Sequence, residues 1–153
     1  PNDILVEGRK VCGILTEIRA KNNIVSALIA GIGINVNQKR PDFPDEIRAS
    51  AASILAETGV KTGRIKLLAE VLLRMETLYL KFKQDGISDI IRKYKHLSGT
   101  LGQSVKVLTA RGNVDGTAAD IDSDGALILR LESGVFMKIN AGDVIHSADK
   151  QGG

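Results

Sequence analysis

The segment KVCGILTEIRAKNNIVSALIAGIGIN, residues 10–35, decides the fold of this chain. Side chains of residues 10–19 alternate between two faces, which is the pattern of a β-strand. Residues 21–23 suit a tight turn, because asparagine tolerates positive φ. The mostly apolar run 24–35 has the length and composition of a central strand covered on both faces. Together with a short strand at residues 4–6, the segment predicts an antiparallel meander.

Helical patterns occupy the middle of the chain. Asp45 is the predicted N-cap of a helix that ends at Gly59. The strongest pattern covers residues 64–84, where apolar side chains recur at i+3 and i+4 and predict one continuous buried stripe. Gly86 is the predicted end of that helix, and Ser88 is the predicted cap of a short last helix.

From residue 98 the pattern changes to short β-prone runs separated by glycine turns. Five such runs predict a small β-barrel, and they cover residues 105–109, 113–121, 126–131, 135–139 and 144–146. The expected fold class is therefore α+β. Its expected parts are an antiparallel sheet with helices in residues 1–97, a barrel in residues 98–149 and a tail in residues 150–153.

Composition limits the classes of function. Of the 153 residues, 43% are hydrophobic and 25% are charged, which is the balance of a globular protein. No apolar run has the length that a bilayer span needs, and no basic and apolar leader opens the sequence. The lone cysteine, Cys12, excludes an internal disulfide and fits a reducing cytosol. We therefore expect a cytoplasmic protein without a membrane partner.

The net charge of +3 raises the question of nucleic-acid binding. Residues 1–97 carry 16 Lys and Arg against 11 Asp and Glu, whereas residues 98–153 carry 5 against 7. Much of the excess lies on predicted helices with interleaved acids, which is typical of solvated faces. The acidic balance of the predicted barrel and the 3% aromatic content disfavour a dedicated nucleic-acid surface.

A first group of candidate residues flanks the predicted turn near the start of the chain. Asp3 and Lys10 would place a carboxylate and an ammonium near one end of a sheet. A lysine there can act as a point charge on carboxylate or phosphate oxygens, and Asp3 can hold a cation or accept a proton. The alternative is a surface turn in which Asp3 is a cap and Lys10 is solvated, since exposed charges near turns are common.

A second candidate is the segment GIGINVN, residues 31–37. It fails the dinucleotide fingerprint, because Val36 replaces the third glycine and no helix begins there. Glycines inside a strand indicate the close approach of another backbone or of a ligand. Asn35 and Asn37 would then end the strand with amides that can contact a base edge or a ribose. A bulged strand end is the alternative.

A third candidate is the start of the helix after this strand. The small residues Ala51, Ala52 and Ser53 would let a flat ring approach, although ordinary helix packing is the alternative. His96 and His146 have no Cys or acidic partner at metal-ligand spacing, so neither is predicted to bind zinc.

Taken in order, these segments resemble the biotin protein ligase family. PNDIL (1–5) is similar to the end of the family's Lys-Trp-Pro-Asn-Asp signature, and RKVCGILTE (9–17) to its Lys-x-x-Gly-Ile-Leu strand. GIGINVN (31–37) is similar to its Gly-x-Gly-Ile-Asn strand, and ASAASILAETG (49–59) to the helix that follows. GALIL and INAGDV, which begin at residues 125 and 139, resemble its small C-terminal barrel.

The resemblance implies the C-terminal part of a catalytic domain related to class II synthetases, followed by an SH3-like barrel. It implies a ligase that makes biotinyl-5′-adenylate from biotin and Mg²⁺-ATP and passes biotin to a lysine of a biotin carboxyl carrier protein. Expected partners are therefore biotin, ATP, the carrier protein and a second copy of the protein. In some family members an N-terminal domain, absent from this sequence, binds DNA.

The resemblance also implies roles for individual residues. Lys10 would contact the biotin carboxyl and phosphoryl oxygens, where a fixed cation offsets the repulsion between two anions. Asp3 would be either a ligand of Mg²⁺ or the group that takes the proton from the acceptor lysine. Asn35 would lie near the adenine and the metal. The other implied substrate-binding residues are Asn2, Gly13, Gly33, Ala52 and Ser53.

Two family features do not occur in this sequence. The Gly-Arg-Gly-Arg-x-Gly loop of the family is absent, as is the Lys-Trp pair before Pro1. The sequence therefore predicts a partial active site, inactive on its own. The alternatives are a non-catalytic, partner-binding module and part of a bifunctional ligase and transcriptional repressor.

Overall fold

The computed structural model describes residues 2–22 and 24–146. The chain divides into two compact units, residues 2–73 and the residues from 74 onward. Each unit has an antiparallel sheet, and the chain also carries helices, so the predicted mixture of antiparallel sheets and helices is confirmed. The boundary near residue 97 stays a prediction, and the predicted tail at residues 150–153 lies outside the described residues.

The first unit contains a three-stranded antiparallel sheet. Its strands are β1 (Asp3–Val6), β2 (Arg9–Lys21) and β3 (Ile24–Ile34), in that spatial order. A two-residue turn joins β1 to β2, with positive φ of 49° at Glu7 and 74° at Gly8. Two successive residues with positive φ are what the tightest hairpin turns require. The predicted meander is therefore confirmed.

The prediction that residues 24–35 form a central, doubly covered strand is wrong for the described residues. There, β3 pairs only with β2, and its residues from Ile24 to Gly33 are all exposed. Apolar composition shows that a strand is suited to burial, but it does not show which element covers the strand. The β2–β3 hairpin accordingly exposes apolar side chains such as Leu15 and Ile18.

The helix predicted to start at Asp45 is also wrong over most of its length. Residues 45–50 form turns, and helix α1 covers only Ile54–Thr58. A parallel β-bridge to Lys10 holds Ala51 in an extended conformation, so a helix cannot run from the turns at residues 45–50 through residue 51 into α1. The predicted end is confirmed, because Gly59 closes α1 with a φ of 71°.

Helix α2 covers Arg64–Asp85 and ends at Gly86, as predicted. The predicted buried stripe is wrong, because none of the described side chains of α2 is buried and Ile65 is 87% exposed. A period of three to four residues shows that a helix is amphipathic but not what packs against it. Across the described part of the chain, no helix combines the length and apolar character that crossing a bilayer would require.

Helix α3 covers Ser88–Leu97. Its N-cap is Ile87, so the prediction that Ser88 caps it is wrong by one residue, and no side chain caps this end. The next residues enter the second sheet, and the Lys95 ammonium of α3 lies 2.7 Å from the Asp120 carboxylate in that sheet. This ion pair joins the helix to the sheet within the second unit.

The second sheet has five antiparallel strands in the order β7-β6-β5-β4-β8. They match the five predicted runs and are β4 (Ser104–Thr109), β5 (Gly112–Ile121), β6 (Leu127–Arg130), β7 (Phe136–Ile139) and β8 (Asp143–His146). A closed barrel is not found, because no ladder joins β7 to β8 within residues 104–146. The core of this sheet consists of the buried side chains of Val105, Val107, Ala118 and Leu129.

Candidate functional site

A β-bulge at the start of β2 brings Lys10 and Asp3 to the same face of the first sheet. The register between β1 and β2 shifts after Ile4, so that Val11 has no partner in the ladder. One extra residue in a strand reverses the face to which the residue before it points. Lys10 therefore shares a face with Gly13, which is directly opposite Asp3, although an undistorted strand would place positions 10 and 13 on opposite faces.

Lys10 and Asp3 form an ion pair on this face. Their Nζ and Oδ1 atoms are 2.8 Å apart, and both side chains are partly exposed. A Cβ at Gly13 would come within 3.2 Å of this Nζ and 3.5 Å of this Oδ1. The missing side chain at position 13 thus leaves the room that the pair occupies, and the pair stays accessible to a ligand.

Two more glycines extend the same face. Gly33 is opposite Gly13, and Gly31 is opposite Leu15. A Cβ at Gly31 or Gly33 would meet no atom closer than 3.7 Å and 3.9 Å, respectively, so packing within the protein does not require glycine at either position. Gly13, Gly31 and Gly33 form a strip of bare backbone beside the ion pair, which we call the glycine floor. Such a strip allows a ligand to approach the backbone closely.

The backbone of Lys10 is held from the side opposite β1. Its N–H donates to the carbonyl oxygen of Ser50 at 2.7 Å, and its carbonyl oxygen accepts from the N–H of Ala52 at 2.9 Å. The side-chain amide of Asn35 donates to the carbonyl oxygens of Ala52, at 2.9 Å, and of Lys10, at 3.4 Å. Three parts of the chain therefore contact Lys10, namely β1, residues 50–52 and Asn35.

Beneath this junction lies the small core of the first unit. Ser53 is fully buried, and its hydroxyl donates to the carbonyl oxygen of Gln38 at 2.5 Å while accepting from the N–H of Ala56 at 3.0 Å. Cys12 also belongs to this core, and its burial raises the pKa of its thiol. The other buried residues of this core are Val11, Val36, Phe43, Ala51 and Ala52.

An ion pair next to the site links β2 to α1. Arg9 donates from Nε to Oε1 of Glu57 at 3.0 Å and from Nη2 to Oε2 at 2.5 Å. These hydrogen bonds lower the pKa of Glu57 and raise that of Arg9, because each stabilises the charged form of its partner. Both groups are therefore charged at neutral pH.

Comparison with known proteins bears on what this arrangement does. A family model described as the biotin protein ligase C terminal domain matches residues 100–147. Over 144 residues, the chain is 37% identical to the bifunctional ligase/repressor BirA of Bacillus spizizenii. The chain belongs to the biotin protein ligase family. The match covers 94% of this chain and 44% of that relative, so the chain spans less than half the length of the relative.

Two further comparisons agree with this assignment to the biotin protein ligases. The chain is 31% identical to the biotin–[acetyl-CoA-carboxylase] ligase of Mycobacterium tuberculosis, covering 95% of this chain and 51% of that protein. Its structure is similar to the biotin protein ligase of Aquifex aeolicus in complex with biotin and ATP, with a TM-score of 0.80 and 29% identity. That similarity covers 96% of this chain and 60% of the other. The family predicted from the sequence segments is thereby confirmed.

The structure brings some of the predicted ligase residues together and leaves others aside. Lys10, Asp3, Gly13 and Gly33 meet on one face, as described above. Asn2 lies at the edge of that sheet, where its Nδ2 donates to the carbonyl oxygen of Ile14 at 3.0 Å. This amide is thus used within the sheet, and substrate binding by Asn2 stays a prediction.

The predicted adenine contacts fit the structure less well. Ala52 and Ser53 are buried, so their side chains offer no surface to a flat ring. The amide of Asn37, expected to contact a base or a ribose, donates to the carbonyl oxygen of Thr62 at 2.8 Å and accepts from its N–H at 2.9 Å. The Asn37 amide thus pairs with the backbone of Thr62 as a neighbouring strand would, and this pairing holds the loop before α2 in place. Asn35 likewise uses its N–H groups within the protein, which leaves only its Oδ1 for a ligand.

The side chains near Asp3 offer Mg²⁺ only part of a coordination shell. Within residues 2–22 and 24–146, no group of three or more His, Cys, Asp and Glu side chains is placed to hold a metal ion. Mg²⁺ usually takes one or two carboxylates and completes its shell with water and substrate phosphates. Asp3 therefore fits a Mg²⁺ that a nucleotide brings with it, and the described residues do not form a complete cage.

Sequence reasoning missed the Arg9–Glu57 ion pair and the two hydrogen bonds between the Asn37 amide and the backbone of Thr62. Their partners are 48 and 25 residues apart, and no local pattern relates them. The charges of Arg9 and Glu57 could be found in the sequence, but only the turn at residues 45–50 and the bridge at Ala51 bring them within reach.

Proposed function

We propose that this chain supplies the lysine-bearing part of the active site of an ATP-dependent biotin–[acetyl-CoA-carboxylase] ligase. The observation that carries the proposal is the accessible Lys10–Asp3 pair beside the glycine floor, in a member of the biotin protein ligase family. The name of the Mycobacterium tuberculosis relative and the biotin and ATP bound to the Aquifex aeolicus protein support it.

In the first step, a carboxylate oxygen of biotin attacks the α-phosphorus of ATP. A new P–O bond forms, and the bond to pyrophosphate breaks, which leaves biotinyl-5′-adenylate. Two anions must approach each other, and the Lys10 ammonium offsets their repulsion as charge develops on the phosphoryl oxygens. When bound with the nucleotide at Asp3, Mg²⁺ would neutralise phosphate charge. The bare backbone of the glycine floor lets the substrates lie against the sheet.

In the second step, the amine of an acceptor lysine attacks the acyl carbon of the adenylate. A C–N bond forms, and the bond to AMP breaks. The attacking nitrogen must lose a proton, and Asp3 is an accessible carboxylate that can take it. The proposed acceptor is a lysine of a biotin carboxyl carrier protein, because the Mycobacterium tuberculosis relative is named as a ligase that acts on acetyl-CoA carboxylase. Asp3 thus has two candidate roles, metal ligand and proton acceptor.

We further propose that the second sheet is the SH3-like barrel of this family and that residues 98–149 form one domain. Five short antiparallel strands around the core of Val105, Val107, Ala118 and Leu129 support this proposal. Residues 1–97 would be the C-terminal part of the catalytic domain, related to class II synthetases, in a cytoplasmic enzyme.

The test is Lys10→Ala in the product of the complete gene, with adenylate formation followed by rapid quench. We expect a rate about a hundredfold to a thousandfold lower, as for removal of one group that stabilises transition-state charge. Lys10→Arg should keep only part of the wild-type rate, because a planar guanidinium replaces the compact ammonium charge. Lys66→Ala, which removes an exposed lysine of α2, is the matched control. Normal adenylate formation by Lys10→Ala would assign Lys10 to a solvated surface turn.

Residues 1–153 by themselves should form no adenylate and should bind biotin weakly. The site described above contains one cation beside the floor, and the family's glycine-arginine loop, which would enclose the phosphates, does not occur in this sequence. Calorimetry with biotin and ATP measures this. Tight biotin binding by residues 1–153 would contradict this expectation, because it would place a complete biotin pocket in this chain.

A further inference from the structure

We propose that Arg9 and Glu57 form a positioning pair that sets the place of Lys10 in the active site. The inference rests on the proposed ligase function. The guanidinium and the carboxylate meet through two parallel hydrogen bonds of 3.0 Å and 2.5 Å. This bidentate arrangement fixes both orientation and distance, which a single contact does not do. The Glu57 side chain is only 11% exposed, so water competes little for it.

The pair acts at the point where Lys10 needs support. Arg9 is the residue before Lys10, and the bulge at Val11 interrupts the regular ladder directly after it. A bulged strand can change its local twist more easily than a fully paired one. Arg9 fixes the strand just before the bulge, so the direction in which Lys10 leaves the sheet is set there.

The other end of the pair is attached to the segment that bonds the backbone of Lys10. Glu57 lies in α1, which begins directly after the residues whose backbone bonds Lys10 at Ser50 and Ala52. The ion pair and this backbone bridge therefore close a ring of contacts around Lys10. Loss of the pair leaves the bridge as the main link between β2 and this segment.

The pair also controls charge beside Lys10. Arg9 adds a second cation next to Lys10 in the sequence, on the opposite face of β2. Glu57 neutralises this cation there. Asp3 then remains as the partner of Lys10 on the glycine-floor face.

The experiment measures adenylate formation in the product of the complete gene with Glu57→Gln and with the reversed pair Arg9→Glu/Glu57→Arg. A small misplacement of a catalytic group reduces rates by about tenfold to a hundredfold, so we expect kcat to fall by this amount in Glu57→Gln. The KM values for biotin and ATP should change little, and the reversed pair should recover most of kcat. Asp45→Asn, which breaks the Asp45–Arg48 pair elsewhere in the unit, is the matched control and should keep the wild-type kcat.

Hydrogen exchange of the same proteins, followed by mass spectrometry, separates this inference from the ligase function. Peptides with the amides of Lys10 and Ala52 should exchange faster in Glu57→Gln, whereas peptides of β4 should not change. Absence of adenylate formation in the wild-type protein would refute the ligase function, and exchange would still test the link. A wild-type kcat in Glu57→Gln, or unchanged exchange at Lys10 and Ala52, would overturn the proposed positioning.

Discussion

The Nζ of Lys10 lies 2.8 Å from Oδ1 of Asp3, and the two residues are on one face only because Val11 is an extra residue in β2. Without the bulge, strand alternation would send the two side chains to opposite sides of the sheet. The candidate site thus depends on a local irregularity of the backbone.

Gly33→Ala should separate ligand binding from folding. A Cβ at this position would meet no atom closer than 3.9 Å, so the melting temperature should stay at or above the wild-type value. The added methyl group fills space on the glycine floor, so the KM for biotin or ATP should rise in the complete gene product. Thermal melts and steady-state kinetics measure the two effects. A wild-type KM would show that substrates do not use this part of the sheet.

Asn35→Asp should destabilise the first unit. The amide donates to the carbonyl oxygens of Ala52 and Lys10, and a carboxylate would turn both contacts into repulsion. Loss of a hydrogen bond with an unsatisfied partner costs about 1–3 kcal/mol, so the free energy of unfolding in urea should fall by this amount. Asn113→Asp, at an exposed position of β5, is the control. Equal stabilities of the two variants would contradict the structural role of Asn35.

Lys138→Met should reveal a pH-dependent contribution to the second unit. Hydrogen bonds from Lys138 to Asp122 and Asp124 raise the pKa of this lysine from 10.5 to about 12 and lower that of Asp122 from its ordinary 3.8. The raised lysine pKa stabilises the fold below pH 10.5, and this stabilisation is lost as the pH rises through about 12. The lowered pKa of Asp122 stabilises it above pH 3.8, and that stabilisation is lost as the pH falls through the lowered value.

The difference in free energy of unfolding between wild type and Lys138→Met should therefore be largest between pH 3.8 and pH 10.5. It should shrink outside that window at both ends. Urea unfolding at several pH values measures it. Lys106→Met is the control, because the Lys106–Asp115 pair is longer, at 3.6 Å, and should contribute less. A difference that does not vary with pH would refute the electrostatic explanation.

Gly116→Ala should disrupt the core of the second sheet. A Cβ there would lie 2.6 Å from the carbonyl oxygen of Arg130 and 2.9 Å from Cγ of Leu129, which requires the strands to move apart. Overpacking of this kind costs about 1–3 kcal/mol in the free energy of unfolding. Gly99→Ala is the matched control, because its Cβ would meet nothing within 4 Å. Urea unfolding compares them, and a wild-type stability of Gly116→Ala would show that β5 and β6 are less closely packed.

The local patterns of the sequence predicted the elements well and their surroundings poorly. Helix α2 and the five later strands follow from periodicity and from glycine turns, both of which depend on near neighbours. The prediction of a helix from Asp45 was wrong because Lys10, which is far away in the sequence, pairs with Ala51 and keeps that residue extended. The buried stripe on α2 failed for a similar reason, since coverage depends on other elements.

The same distinction applies to the site. The resemblance to the family brought Asp3, Lys10 and two of the glycines into one group, and the structure places them together. The resemblance could not show that the amides of Asn35 and Asn37 form hydrogen bonds with backbone groups of the chain. Residue type alone does not reveal a hydrogen-bond partner. Bulges and long-range amide contacts are properties of the folded chain.

The glycine floor limits how this protein can evolve. Gly13, Gly31 and Gly33 present only main-chain atoms to a ligand. A side chain can be replaced by single mutations that change its size and polarity in small steps. Glycine has no smaller replacement, so each mutation of these three residues adds volume to the surface. If substrates lie on the floor as proposed, natural selection can adjust substrate preference gradually only at residues around it. Descendants of this protein that act on bulkier substrates should differ from it at that rim and keep the three glycines.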